Sequence, residues 1–164
     1  MPVIIEMSIS EQLDESDDGE VPDARLIQRW ANATSGSEQN AIVSIQIVSV
    51  DEMRTLNRTW RGKDRTTNVL SFPTHADDLH LPVEAGVNLL GDIALCSEVI
   101  KTEALQQHKQ LQAHWAHMVV HGMLHLHGYD HIETIEAEHM EAKEAAILRQ
   151  LGFADPYHDT HQTP

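Results

Sequence analysis

The chain contains a single cysteine, Cys96, among its 164 residues. One thiol cannot form a disulfide within the chain, so the fold must depend on its hydrophobic core. Long apolar runs are absent too, because no stretch approaches the roughly 20 residues that a membrane-spanning helix requires. Residues 1–6 carry no basic segment before their short apolar stretch, which argues against a secretory signal. These features predict a cytoplasmic protein that does not associate with membranes.

Basic residues are also scarce, since 11 Lys and Arg stand against 26 Asp and Glu, for a net charge of -15. So acidic a chain lacks the broad basic surface of a general nucleic-acid binder, and DNA is not an expected partner. The few cations are nevertheless concentrated in one segment, which contains Arg54, Arg58, Arg61, Lys63 and Arg65. Composition alone favours a solvated helix end there, and a local phosphate-binding site is the alternative.

Hydrophobic periodicity predicts an α+β fold. Four strands are expected to form a small mixed sheet, near residues 2–8, 41–48, 67–72 and 87–95. About five helices pack on this sheet around one central helix that carries several histidines. Residues 1–155 are predicted to form a single domain, followed by a flexible C-terminal tail over residues 156–164.

Histidine is abundant in this chain, with 12 copies. His121 and His125 are four residues apart, so on a helix both imidazoles lie on one face, one turn apart. Gly128 can adopt a left-handed backbone and turn the chain, which would return His131 as a third nitrogen ligand. Three histidines with an open fourth position are typical of a catalytic zinc site. The domain is therefore interpreted as a metallohydrolase with one Zn²⁺ per chain, although nickel, cobalt or iron also suit three imidazoles.

Two further residues are candidates for orienting the metal-binding histidines. His117 shares the helical face of His121, and the two form a competing ligand pair. His121 with His125 is preferred, because only that pair has a turn placed to return a third ligand. Asp92 is a second orienting candidate, since metal-bound imidazoles usually donate their other ring nitrogen to an acceptor. Asp92 could equally bond a backbone amide.

The spacing H-x3-H-x2-G-x2-H also occurs in zinc peptidases, where a Glu follows the first His and serves as the base. In this chain that position is Gly122. A zinc peptidase is therefore an alternative that has lost its proton acceptor.

Four segments of the chain together resemble one known family. They are LNRTWRGK at 56–63, TNVLSFP at 67–73, LGDI at 90–93 and the histidine-rich stretch 114–131. These segments closely resemble the YbeY endoribonuclease family of ribosomal RNA maturation factors, and the likeness extends from about residue 50 to residue 157. Separated motifs in the right order are more specific than any one alone.

The resemblance implies the same α+β architecture and a single-strand-specific, metal-dependent endoribonuclease. Its implied substrate is ribosomal RNA, including the 3′ end of the small-subunit RNA, with a role in ribosome quality control. The small ribosomal subunit is the implied partner, and the chain is expected to be a monomer. Arg61 is the candidate for stabilising the phosphate in the transition state, because a guanidinium can bridge two of its oxygens. The other assigned residues are His121 as a catalytic ligand and, for RNA binding with Arg61, Arg58, Lys63 and Arg65.

A non-catalytic metal-binding ribosome-assembly factor is the second alternative. The net charge of -15 favours it, and so does the aromatic content of only 4%, because bases of single-stranded RNA usually stack on aromatic rings. Only Trp60, Phe72 and Tyr129 are expected near the site.

Overall fold

The structure is a computed structural model that describes residues 3–13, 21–34, 40–74, 87–129 and 134–157. Within these ranges the chain forms four strands and five helices. In chain order they are β1 (Val3–Ile9), α1 (Ala24–Thr34), β2 (Asn40–Val48), α2 (Val50–Arg61), β3 (Val69–Pro73), β4 (Val87–Cys96), α3 (Ser97–Gln106), α4 (Leu111–Leu126) and α5 (Thr134–Gln150). The predicted α+β class is confirmed.

The four strands form one mixed sheet in the order β1-β2-β4-β3. β1 pairs in parallel with β2, and β2 with β4, whereas β3 runs antiparallel to β4. Parallel neighbours require a crossover connection, which α1 provides between β1 and β2. β3 therefore lies at an edge of the sheet, where Pro73 at its end removes no hydrogen bond from a central strand.

α4 is the central helix and packs against one face of the sheet. Its neighbours are β3, β4 and three of the other helices, α1, α3 and α5. Trp115 and Val119 of α4 join Trp30 of α1 and Ile93 of β4 in the main hydrophobic core. Eleven of the 16 residues of α4 are buried, so the packing around this helix fixes the position of its histidines. None of the helices in the described ranges is long and apolar enough to cross a membrane.

The opposite face of the sheet is only partly covered. α2 packs there over a smaller cluster of buried residues, Val48, Met53, Ala94 and Cys96. The Cys96 thiol is buried, and this burial raises its pKa. Gln46 and Asp92 lie on the same face and are exposed.

The local signals in the sequence correspond to observed helix ends. Ser49 and Glu52 form both halves of a capping box at the start of α2, and Gly62 ends that helix with φ of 71°. The helical pattern after Cys96 is interrupted, because α3 ends at Gln106 and α4 begins at Leu111. Gly128 follows α4 with φ of 99°, as the predicted turn requires.

Gly91 marks a bulge in β4. The pairing with β2 shifts register there, and Gly91 has φ of 144°. A Cβ atom at this position would lie 2.2 Å from the backbone oxygen of Phe72 on the neighbouring strand. A glycine is therefore required both by the backbone conformation and by the close approach of β3.

We expect Gly91→Ala to lower the free energy of unfolding by about 2–4 kcal/mol, since the clash involves backbone that cannot move independently. Chemical denaturation measures this loss. Gly152→Ala is the control, because Gly152 has φ of 94° but open space around its Cα. That variant should lose only the roughly 1–2 kcal/mol of left-handed strain, and equal losses in both variants would show that the close approach is unimportant.

Candidate active site

The site is built on one face of α4, where two histidine rings meet. His121 and His125 lie one turn apart, and their Nε2 atoms are 3.2 Å from each other. Both rings are half-buried, at the wall of a cleft. The structure therefore brings together two of the three predicted metal ligands. His131 lies outside the described residues.

Glu144 of α5 holds His121 from behind. Its carboxylate is 1% exposed, and Oε1 accepts a hydrogen bond from Nδ1 of His121 at 2.8 Å. Because Nδ1 carries the proton of this bond, a neutral His121 ring has its unprotonated Nε2 on the opposite side, toward His125. An unprotonated ring nitrogen of this kind is the atom with which histidine binds a metal ion.

The other carboxylate oxygen of Glu144 is also occupied. Oε2 accepts from His117 Nε2 at 2.5 Å and from the hydroxyl of Tyr157 at 2.6 Å. Burial by itself would raise the pKa of Glu144, but the hydrogen bonds from His117 and His121 outweigh it and lower the pKa to about 2. Glu144 is therefore a carboxylate at neutral pH. Tyr157 is shifted the other way, because burial and the adjacent carboxylate raise its pKa.

The donor set of His121 and His125 fits a transition metal ion. Two nitrogens that each lie about 2.0–2.1 Å from a tetrahedral zinc ion are about 3.4 Å apart. The observed 3.2 Å is close to this value. In such sites the other ring nitrogen of a histidine ligand usually donates a hydrogen bond to a carboxylate, as Nδ1 of His121 does to Glu144.

A second grouping of potential ligand atoms overlaps the first. One atom each from His117, His121 and Glu144 lies within 4.8 Å of the others, so these residues could also hold a metal ion. This grouping contains the competing pair of the sequence analysis. However, the contacts of Glu144 with the two rings, at 2.5 and 2.8 Å, are hydrogen-bond lengths. They are shorter than the separation of two ligands on one ion, so the geometry favours Glu144 and His117 as the support.

The cleft beside the histidines is about 760 Å³ in volume. Its lining contains three of the basic residues singled out in the sequence, Arg61, Lys63 and Arg65, together with His121 and His125. In a chain of net charge -15, this is a local concentration of positive charge beside two imidazoles. Such a combination can bind an anionic substrate. Arg58 is exposed on α2 and does not line the cleft.

Arg61 is held against the edge strand. Its Nη2 donates to the backbone oxygen of Ser71 at 2.6 Å, and the guanidinium lies 5.1 Å from the centre of the Phe72 ring. The Ser71 hydroxyl in turn donates to the backbone oxygen of Gly122 at 2.9 Å. β3 therefore connects the arginine directly to the helix that carries the histidines.

Gly122 faces the sheet. A Cβ atom at this position would lie 3.2 Å from both Ile93 and Val69, which is already a tight contact. A glutamate here, at the position of the peptidase base, would have to displace the packed side chains of Ile93 and Val69. The structure thus gives a packing reason for the missing base and argues against the peptidase alternative.

The structure does not bring Asp92 to the histidines. Asp92 is exposed and lines a different recess, with Trp60 and Phe72. Its neighbour Ile93 points toward α4, and successive residues of a strand face opposite sides of the sheet. The support of His121 comes instead from Glu144, whose other carboxylate oxygen accepts from Tyr157. Neither residue is among the predicted ones. The available signal is that Glu144 lies four residues from both Met140 and Leu148, which places a carboxylate on the buried stripe of α5.

Comparison with known proteins gives the class. The family model described as "Endoribonuclease YbeY" matches residues 11–152. A Cellvibrio japonicus protein named "Endoribonuclease YbeY" is 51% identical over 140 residues, which is 84% of this chain and 76% of that protein. The match places the chain among RNA-hydrolysing enzymes.

The chain belongs to the YbeY endoribonuclease family. The fold is also similar to the solution structure of a Thermotoga maritima protein, with a TM-score of 0.53. That similarity covers 91% of this chain and 88% of the other, at 24% identity.

We expect Glu144→Ala to lower the free energy of unfolding by about 3–5 kcal/mol, because it leaves buried partners on α4 and at Tyr157 without their acceptor. Tyr157→Phe removes the hydrogen bond to the Glu144 carboxylate and the 3.2 Å contact of the hydroxyl with His117 Nε2, and should cost about 1.5–3 kcal/mol. Urea denaturation of metal-free protein measures both. Glu138→Ala, at an exposed position of the same helix, is the control and should change little. A loss at Glu144 no larger than at Glu138 would contradict the assigned network.

Proposed function

We propose that this protein is a single-strand-specific, zinc-dependent endoribonuclease that matures ribosomal RNA in the cytoplasm. The observation that carries the proposal is the placement of the His121 and His125 Nε2 atoms, 3.2 Å apart, in a cleft that Arg61, Lys63 and Arg65 also line. Imidazoles that converge beside cations suit a phosphodiester better than a neutral peptide. The family membership supports the same reaction.

His121, His125 and His131 are the proposed ligands of one Zn²⁺ ion per chain. Glu144 fixes the ring of His121 and its tautomer, and His117 shares the same carboxylate. When bound, the ion supplies Lewis acidity, by which water becomes a nucleophile at neutral pH. No carboxylate base occupies position 122, which is consistent with an activation that does not depend on one.

Arg61 is the proposed stabiliser of the transition state. Negative charge accumulates on the non-bridging phosphate oxygens as the phosphodiester is attacked, and a guanidinium can donate to two of them at once. The bond to Ser71 and the contact with Phe72 restrict the arginine before substrate arrives. This reduces the conformational entropy that is lost when the phosphate binds.

Lys63 and Arg65 are proposed to hold phosphates on either side of the scissile bond, and Arg58 to contact RNA outside the cleft. The acidic remainder of the chain disfavours RNA elsewhere on the surface. The resemblance supplies the substrate, ribosomal RNA including the 3′ end of the small-subunit RNA, and the role in ribosome quality control. We propose the small ribosomal subunit as partner and a monomeric enzyme.

Arg61→Ala should lower kcat/KM for a single-stranded RNA by about 10²–10³-fold, because a charge-assisted contact made in the transition state is lost. Arg61→Lys should recover only part of this, since an ammonium cannot bridge two oxygens. Cleavage is followed on denaturing gels. Arg25→Ala, at an exposed position of α1, is the control. Full cleavage by Arg61→Ala with unchanged metal content would exclude the assigned role.

Purified protein should contain about one equivalent of metal per chain, and chelation should abolish cleavage until zinc is restored. The His121→Ala/His125→Ala double variant should contain no metal and cleave no RNA. Glu144→Gln should weaken metal binding by about 10–100-fold, because the supporting acceptor of His121 is altered. Metal is measured by elemental analysis.

The chain is rich in histidine, so a control must show that binding is specific. His139→Ala, at an exposed position of α5, should keep both metal and activity. Cleavage that survives in the double variant would indicate a contaminating nuclease and would favour a non-catalytic assembly factor.

A further inference from the structure

Trp60 is exposed in a way that the other tryptophans are not. Its exposed fraction is 65%, whereas Trp30 and Trp115 are each 1% exposed. The Trp60 ring packs edge-on against Phe72, with centroids 6.4 Å apart and an interplanar angle of 69°. One face of a large aromatic ring is thus held in place while much of its surface stays open to solvent.

The two rings border a recess on the uncovered face of the sheet, which we call the aromatic recess. Its volume is about 340 Å³, and its walls include Leu56, Trp60, Phe72, Gln46 and Asp92. Asp92 lies directly opposite Phe72 in the antiparallel pair β3–β4. The recess therefore combines aromatic surface with one carboxylate and one amide.

Arg61 joins the aromatic recess to the histidine cleft. It follows Trp60 in the chain, lines the cleft, and places its guanidinium 5.1 Å from the centre of the Phe72 ring. The edge strand β3 lies between the two spaces, since Ser71 lines the cleft and Phe72, on the opposite face of the strand, lines the aromatic recess. When the phosphate of a nucleotide contacts Arg61, a neighbouring base can therefore enter the aromatic recess.

The chemistry of the aromatic recess suits a base and not a phosphate. Bases of single-stranded RNA stack on exposed aromatic rings in a sequence-tolerant way. A carboxylate repels phosphate, but it accepts hydrogen bonds from the exocyclic amino groups of bases such as cytosine. Uracil has no such group. The position of Asp92 thus adds selectivity to the stacking surface.

Building on the proposed nuclease function, we propose that the aromatic recess is a base-binding subsite next to the scissile phosphate. Trp60 stacks the base while Phe72 supports the Trp60 ring, and Asp92, with Gln46, favours a base that carries an exocyclic amino group over uracil.

Tryptophan fluorescence tests the stacking directly, because Trp60 is the one exposed residue among the three tryptophans of the chain. Metal-loaded protein is titrated with short oligocytidine at low temperature, and gels verify that the RNA stays intact. Binding should quench the Trp60 emission and protect it from acrylamide. Fluorescence anisotropy of end-labelled RNA measures affinity independently.

Variants separate stacking from general affinity. Trp60→Ala should weaken oligocytidine binding about tenfold, and Trp60→Tyr should largely restore it. An abasic nucleotide at the stacked position should remove the difference between wild type and Trp60→Ala. Leu105→Ala is the control, because Leu105 is 69% exposed on α3 and lines neither space. Wild type should bind oligocytidine more tightly than oligouridine, and Asp92→Ala should abolish this preference.

The outcomes distinguish the subsite from the nuclease. If RNA binds and is cleaved while Trp60 emission is unchanged and Trp60→Ala behaves like Leu105→Ala, the subsite is overturned and the nuclease stands. That result would fit a protein partner at the aromatic recess. Equal affinities for oligocytidine and oligouridine would overturn the role of Asp92. If no RNA is bound or cleaved at all, the proposed function fails and the subsite with it.

Discussion

The buried carboxylate of Glu144 organises this molecule more than any other side chain. An ionised group in the interior is tolerated only where donors replace the water that it loses. Here the donors are His117, His121 and Tyr157, which lie on α4 and after the end of α5. The need to satisfy one charge thus fixes the contact between α4 and α5 and also the orientation of His121. Stability and site geometry depend on the same three hydrogen bonds.

Much of the fold could be predicted because its signals are local. The capping box at Ser49, the left-handed positions at Gly62 and Gly128, and the bulge at Gly91 each depend on a few neighbouring residues. The relation of His121 to His125 is local too, since the helix itself sets the four-residue spacing. Such features can therefore be recognised from the sequence alone.

The support of the site could not be predicted, because it depends on contacts between distant segments. Glu144 is 23 residues from His121, and its place on the buried stripe of α5 does not show which side chains it contacts. Asp92 illustrates the converse. It has the right chemistry to orient a histidine, but a strand alternates its side chains, and the packing of Ile93 toward α4 directs Asp92 to the other face. Because side chains of β4 alternate between the two faces of the sheet, the position of Asp92 in the strand decides on which face its carboxylate lies.

The edge strand β3 explains how so acidic a chain can act on RNA. The Ser71 hydroxyl donates a hydrogen bond to the backbone of α4, and the Ser71 backbone oxygen accepts one from the guanidinium of Arg61. One short strand therefore holds the arginine close to the helix that carries the histidines. Screening limits the repulsion from distant carboxylates to about 8–10 Å at physiological salt. Inside the cleft the nearby cations therefore outweigh the net charge of -15. The remaining acidic surface lowers the affinity for phosphates elsewhere, so the proposed RNA substrate is directed to the cleft that Arg61 and the two imidazoles line.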